Sequence, residues 1–411
     1  MSAGSAVRPS GRRLQITPVR RRSAWGQLDW LLLTTTAALI GIGALLVWSA
    51  TVHRVDLTGG TPYAYGLRHL INAGIGGVLA IIVAATDHRW VRIWTPVVYG
   101  ASLVGLGLVL VPGIGQEING SLSWIQIGGL TVQPAEFAKL GVVVTMALLV
   151  AERFEGRKIG ASLRDRDVVA MLLIAAVPAA LIMAQPDLGT MLVLSATVFG
   201  TLALAGAPKR WLVGLLLGAV GTAFAAIRLG VLESYQLDRF AAFIDPTLDP
   251  LGAGYNTTQA RIAIGNGGIT GQGLFEGSQT QSGFVPEQHT DFVFTVAGEE
   301  LGLLGAGLVI ALFALLLWRG LRIALRAGDM FGRLAAAGIV CWFGFQAFQN
   351  IGMCLGIMPI TGVPLPLVSY GGTSMFVSLM AIGLLLNIHR RTDNLTGFGG
   401  VARSQVLRSR S

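Results

Sequence analysis

Asp291 closes the run Phe284-Val285-Pro286-Glu287-Gln288-His289-Thr290-Asp291 and stands directly before the apolar stretch that opens Phe292-Val293-Phe294. A carboxylate there has two ordinary uses. It caps the following helix by accepting backbone N–H bonds at the positive end of the dipole, or it is held in one orientation to take a proton from a substrate hydroxyl. The two uses are compatible, and both stay open at this level. Glu136 and Lys139 lie three apart at the start of another apolar run, on one helix face, either as an ion pair or with the lysine facing a substrate phosphate. Pro134 just ahead of them fits a first helical turn. Asp187, in Gln185-Pro186-Asp187-Leu188-Gly189-Thr190, is placed to cap a helix starting at Leu188 or to serve a site. Arg239 and Arg261 stand well inside a long polar stretch, as bidentate holders of a pyrophosphate or as surface cations. Glu299 and Glu300 fall inside the apolar helix expected from Phe292, where bare carboxylates are costly, so they are expected to pair with polar groups of neighbouring helices or to stay protonated.

The elements that must position these groups follow from composition. Of 411 residues, 53% are hydrophobic and 12% charged, and the mean hydropathy is +0.66. A soluble globular domain carries about a quarter charged residues, so this chain is built for a bilayer. Its net charge of +9 is not a nucleic-acid signal, because the arginines cluster between apolar runs and form no basic stripe with interleaved aromatics. Cys341 and Cys354 share one apolar run, about 20 Å apart if it is helical, and read as packing residues.

A spanning helix needs about 20 mostly apolar residues. Such runs lie near Trp30–Trp48, Leu70–Thr86, Ile93–Val111, Phe137–Ala151, Val168–Ala184, Leu188–Leu204, Trp211–Ile227, Phe292–Trp318, Leu334–Leu355 and Leu367–Leu386. The expected fold is therefore an all-α polytopic membrane protein of about ten transmembrane helices, spanning residues 28–390, with basic irregular tails at 1–27 and 391–411. Basic residues precede the first run, fill alternate loops around Arg89, Arg153–Arg166, Lys209 and Arg319–Arg333, and follow the last run from Arg390. By the positive-inside rule both termini are cytoplasmic. The segments from Gly113 to Pro134, at Gln185 to Asp187 and from about 230 to 291, between helices 7 and 8, then face outside. In the last of these, Thr257 to Ile264 reads as a short helix ended by Gly265-Asn266-Gly267-Gly268. Thr361 to Ser374 breaks the hydropathy with Pro and Gly, either lining a cavity or opening a kinked helix. No nucleotide-binding glycine loop, zinc spacing or serine-hydrolase elbow is present, and no internal repeat is apparent.

Several segments together resemble the SEDS family of bacterial cell-wall polymerases (shape, elongation, division and sporulation), and within it the elongation branch more than the division branch. The segments are Asn119-Gly120-Ser121-Leu122-Ser123-Trp124-Ile125, Gln133-Pro134-Ala135-Glu136-Phe137-Ala138-Lys139-Leu140, Gln185 to Thr190, Pro286 to Phe292, Gly298-Glu299-Glu300-Leu301-Gly302, Asn350-Ile351-Gly352-Met353 and Pro364 to Gly372. The resemblance implies an inverting peptidoglycan glycosyltransferase of the bacterial cytoplasmic (inner) membrane. It would polymerise lipid II at the outer leaflet during cell elongation and release undecaprenyl pyrophosphate. Asp291 matches the family's essential aspartate, the expected catalytic base. Glu136, Lys139 and Asp187 match its conserved outer residues, Trp124 matches a family tryptophan, and His289 belongs to the aspartate's motif; with Arg239 and Arg261 they form the expected substrate-binding set. Leaving-group charge would fall to Lys139, Arg239, Arg261 or a divalent cation, Mg or Mn. The implied partners are lipid II, the growing lipid-linked glycan, a class B penicillin-binding protein and the elongation machinery. Two other classes remain in play: a lipid II flippase, with essential charges at mid-membrane depth, and a non-catalytic scaffold for the transpeptidase.

Overall fold

The computed structural model describes residues 28–118, 120–128, 130–154, 163–230, 234–249 and 252–408, and side chains as far as Thr392. The expected tail at 1–27 lies outside the described residues. In chain order the elements are α1 Trp30–Thr51, α2 Val55–Thr58, α3 Ala64–Ala85 and α4 His88–Val109, then strands β1 Gly115–Ile118, β2 Ser121–Ile127 and β3 Leu130–Val132. They continue with α5 Pro134–Phe154, α6 Asp165–Met183, α7 Leu188–Leu204, α8 Lys209–Leu229, α9 Ser234–Ile244, α10 Ala253–Asn266 and α11 Ser278–Ser282. The last are α12 Val293–Glu300, α13 Gly302–Arg326, α14 Met330–Leu355 and α15 Gly372–Arg408.

Among the described residues nine helices are long and apolar enough to cross a membrane: α1, α3, α4, α5, α6, α8, α13, α14 and the part of α15 from Gly372 to Thr392. α7 is an apolar helix of 17 residues, shorter than these. The all-α membrane architecture read from hydropathy is the one observed. The backbone of α15 continues helically to Arg408, past the residue at which the last span was expected to give way to a tail.

Burial sorts the helices into layers. α5 and α14 pack on each other at the centre, with Ala135, Ala138, Val142, Val143, Trp342 and Phe343 fully buried. α8 has no buried residue and turns Leu216, Leu217, Val220 and Phe224 outward. A helix that is apolar and unburied along its length has the character of a lipid-facing span.

Three features depart from the hydropathy reading. The span expected from Phe292 to Trp318 is broken at Gly302, whose φ of +65° leaves the right-handed helical region. There Leu303 and Leu304 donate their N–H groups to the carbonyls of Gly268 and Ile269, and a Cβ on Gly302 would lie 2.3 Å from the nitrogen of Gly271. The membrane span therefore starts at Gly302, and Glu299 and Glu300 end the short helix before it instead of lying within it. Second, the segment from Gly113 to Pro134 folds into an antiparallel sheet of order β1-β2-β3, with Gln116 facing Trp124 ahead of a bulge and Ile125 facing Val132. Third, the short helix expected over Thr257 to Ile264 is the middle of the longer α10. From Ile360 to Gly371 the chain is irregular, as its prolines and glycines imply.

Candidate active site

At one end of the bundle these irregular pieces enclose a cavity of about 440 Å³. Ser121, Ser123 and Trp124 of β2 form one wall, and Pro186, Asp187 and Leu188 form the turn into α7. Arg239 of α9 and Asn256 of α10 face them. Glu287, Thr290, Asp291 and Phe292 come from the loop before α12, and Thr361, Gly362, Pro364, Tyr370 and Thr373 from the irregular segment and the start of α15.

Asp291 is fixed through its backbone. The N–H groups of Thr290, Asp291 and Phe292 all point to the carbonyl of Glu287, at 3.2, 3.0 and 3.3 Å. Its own carbonyl accepts from Nδ2 of the buried Asn350 at 2.7 Å, and the same amide reaches the carbonyl of Val363 at 2.8 Å. One side chain of α14 thus ties two cavity walls together. The N-cap of α12 is Phe292, with no side-chain capping bond, so the capping use considered for Asp291 is not the one realised. Its carboxyl faces the cavity, where a Cβ on Gly362 would stand 3.3 Å from Oδ2. Burial pushes this carboxyl up to about 7; the negative charges of Glu287 and Asp187 act in the same direction, while Arg239 opposes them.

Glu287 holds φ at +47°, a backbone conformation that side-chain-bearing residues seldom adopt, and Oγ1 of Thr290 donates to its Oε2 at 3.2 Å. Asp187 does cap α7, accepting from the N–H of Thr190 at 2.9 Å. Its Oδ2 also accepts from Oγ1 of Thr190 at 2.7 Å and from Nε2 of Gln133 at 3.3 Å, and it still lines the cavity.

The other expected site residues divide. Trp124 and Arg239 line the cavity with Asp187 and Asp291. Glu136 and Lys139 do not. Both are buried behind it, Nζ of Lys139 donating to Oε1 of Glu136 at 2.7 Å and to Oε1 of Gln346 at 2.8 Å, with the Trp342 ring 5.2 Å away. Of the two alternatives the geometry realises the ion pair. Its link to the cavity is indirect, through Nε2 of Gln346, which holds the carbonyl of Pro364 at 2.8 Å. His289 is buried edge-on to Tyr65, its ring also beside that of Tyr370, and its carbonyl accepts from the N–H of Tyr370 at 2.9 Å. It positions a lining residue without lining the cavity itself. Burial pushes its imidazole below the usual histidine range. Arg261 is exposed on α10 beside Gly356, away from the cavity lining.

Sequence reasoning passed over Tyr370, Gln133, Asn256 and Glu287 as individual site members. Each sits in a stretch singled out for another reason, and nothing in its type or spacing marked it. Glu299 takes the N–H groups of Gln279 and Thr280 at 2.7 and 2.9 Å, and Glu300 takes Oγ of Ser49 at 2.6 Å. These carboxylates pair with polar groups of the neighbouring helices α11 and α1, as expected, and they anchor the loop that carries the site. No group of three or more His, Cys, Asp or Glu able to hold a metal ion occurs among the described residues. Asp187, Glu287 and Asp291 line one cavity, with Asp187 already accepting from Thr190 and Gln133.

The family profile described as cell cycle protein, covering FtsW, RodA and SpoVE, matches residues 29–394. Stage V sporulation protein E of Bacillus subtilis is 38% identical over 88% of this chain and 97% of its own length. A probable peptidoglycan glycosyltransferase FtsW of Trichlorobacter lovleyi is 36% identical over 90% and 95%, and the peptidoglycan glycosyltransferase MrdB of Escherichia coli K12 is 36% identical over 92% and 98%. Among solved structures, a chain from work on the structural coordination of polymerization and crosslinking by a peptidoglycan synthase complex superposes with a TM-score of 0.73 at 34% identity, over 89% of this chain and 98% of that one. The rod shape determining protein RodA of Thermus thermophilus gives a TM-score of 0.64 at 32% identity, over 89% and 98%. The near-equal identities to sporulation, division and MrdB relatives do not single out one branch.

Proposed function

Because the chain belongs to the FtsW/RodA/SpoVE family, the SEDS proteins, we propose that it is a peptidoglycan glycosyltransferase that polymerises lipid II with Asp291 as its general base. The observation that carries this reading is the carboxyl of Asp291. It is not used as a helix cap, it faces a cavity with Arg239, and its pKa of about 7 lets it both take and release a proton near neutrality. In the reaction the 4-hydroxyl of GlcNAc on one lipid II loses its proton to Asp291 as its oxygen attacks the anomeric carbon of MurNAc at the end of the growing chain. The bond from that carbon to undecaprenyl pyrophosphate breaks, and the electron pair leaves with the pyrophosphate. An α-linked donor gives a β-1,4 glycan in one displacement, which needs one base and no enzyme nucleophile. Pyrophosphate is already a good leaving group and needs charge stabilisation more than a proton. Arg239 is a cation lining the cavity that can supply it.

The arginine distribution supports a cavity opening on the outer face of the inner membrane, with both termini in the cytoplasm. The likeness to the rod shape determining protein supports an elongation role, and the likeness to a chain of a synthase complex that coordinates polymerization and crosslinking supports a class B penicillin-binding protein as activating partner. A flippase would want charges at mid-depth reachable from both sides, whereas Lys139 and Glu136 satisfy each other inside the core. The test is glycan-strand formation from purified lipid II by this chain with a cognate class B penicillin-binding protein, wild type beside Asp291→Ala. Polymer from the wild type alone is expected. Polymer from both would remove Asp291 from the mechanism, and none from either, in a verified complex, would favour the flippase or scaffold.

A further inference from the structure

The end of the bundle opposite the cavity carries a basic pocket. Gly372 lines the cavity, and His389 lies seventeen residues further along α15, so about 25 Å of helix separates the two ends. There the last turns of α13 bring Arg319, Arg322 and Arg326 to one face, against His389 and Thr392 of α15. Like charges three and four residues apart on a helix repel each other, so such a face needs anions to balance it. Among the described residues one carboxylate does so directly. Asp29 pairs with Arg319. The next carboxylate, Asp329, is already shared between His88 at 2.8 Å and Arg391 at 3.6 Å. Arg322 lies over the Trp318 ring at 4.8 Å, and neither Arg322 nor Arg326 has an ion pair among the described residues.

The surroundings select the anion. Trp318 and, at the start of α1, Trp30 are 44% and 52% exposed, the placement of aromatic side chains at a membrane–water boundary. On the same turns of α13, Leu321 and Leu325 are exposed beside the arginines. A ligand that fits both halves has a phosphate for the guanidinium groups and acyl chains for the leucines. We propose that Arg319, Arg322 and Arg326 with His389 form a binding site for the phosphate headgroup of an anionic phospholipid in the leaflet opposite the cavity. A free phosphate shares the headgroup chemistry but makes no use of the apolar side. The proposal does not depend on the catalytic reading, since it concerns a different end of the molecule.

The experiment is native mass spectrometry of the full chain in detergent, titrated with phosphatidylglycerol or with phosphatidylcholine of the same acyl chains. Three proteins are compared: wild type, Arg322→Gln with Arg326→Gln, and a control with Arg89→Gln and Arg92→Gln, which removes equal charge elsewhere on the same side. All substituted side chains are at least partly exposed, and Arg326→Gln alone is a milder second variant should the double one fold poorly. Wild type is expected to prefer phosphatidylglycerol about tenfold, the control to keep that preference and the pocket variant to lose most of it. Equal retention of both lipids by wild type would overturn the proposal, as would an equal loss in the control. Displacement of the bound lipid by millimolar inorganic phosphate would also overturn it, identifying the ligand as free phosphate.

Discussion

If Asp291 acts as the base, the pH profile of polymerisation should report its unusual environment. An ordinary aspartate, near 3.8, is fully ionised from pH 6 upward and would give a flat profile there. With the carboxyl at about 7, the ionised fraction rises from about one tenth at pH 6 to about nine tenths at pH 8. kcat/KM should therefore climb about eight- to tenfold across that interval and fall about tenfold per unit below it. Neighbours give the sign of two further shifts. Glu287→Gln removes a charge that raises the carboxyl, so the inflection should move to lower pH; Arg239→Gln removes one that lowers it, so the inflection should move up. The assay is initial-rate polymerisation of lipid II with the partner's transpeptidase site blocked, over pH 5 to 9 at constant ionic strength. A flat wild-type profile from pH 6 to 8 would refute the reasoning, and so would Glu287→Gln and Arg239→Gln moving the inflection in the same direction.

Linkage carries the same shift into stability: the folded state holds the Asp291 proton more tightly than the unfolded chain, so stability is lost as pH rises from about 4 through 7. Asp291→Asn should thus be inactive yet melt higher than wild type at pH 8, by about 1–2 kcal/mol once partial exposure is discounted, with the gap closing toward pH 4 in thermal unfolding. Lys139→Met leaves Glu136 buried without its partner and should cost about 3–5 kcal/mol, read as a lowered midpoint, part of which Glu136→Gln in the same chain should restore. Asn350→Leu strands the carbonyls of Asp291 and Val363 and should cost about 2–4 kcal/mol, with a larger fall in kcat than rise in KM because the base loses its seat. Gly189→Ala would press a Cβ to 2.4 Å from the carbonyl of Thr361 and should push back the cavity wall, read as reduced polymerisation with near-normal expression.

Much of this protein is legible without coordinates because the bilayer imposes a length and a polarity on every spanning segment. Runs of about 20 apolar residues and alternating arginine clusters are one-dimensional signals, and they yield the helical membrane architecture from composition and spacing alone. The Asp187 cap is local in the same sense, a matter of a carboxylate three residues ahead of an N–H. What the line of residues does not contain is which groups face a common space. Glu136 and Lys139 look as available to substrate as Asp187 does, and only the packing of α5 against α14 and Gln346 turns them inward. The freedom of the Asp291 carboxyl depends on Asn350, 59 residues away, holding the backbone so that Phe292 takes the cap position. The break at Gly302 exists because the Gly268 to Gly271 turn comes within hydrogen-bonding reach. Solvent quality along the chain determines the first kind of feature, and contacts between residues distant in sequence decide the second.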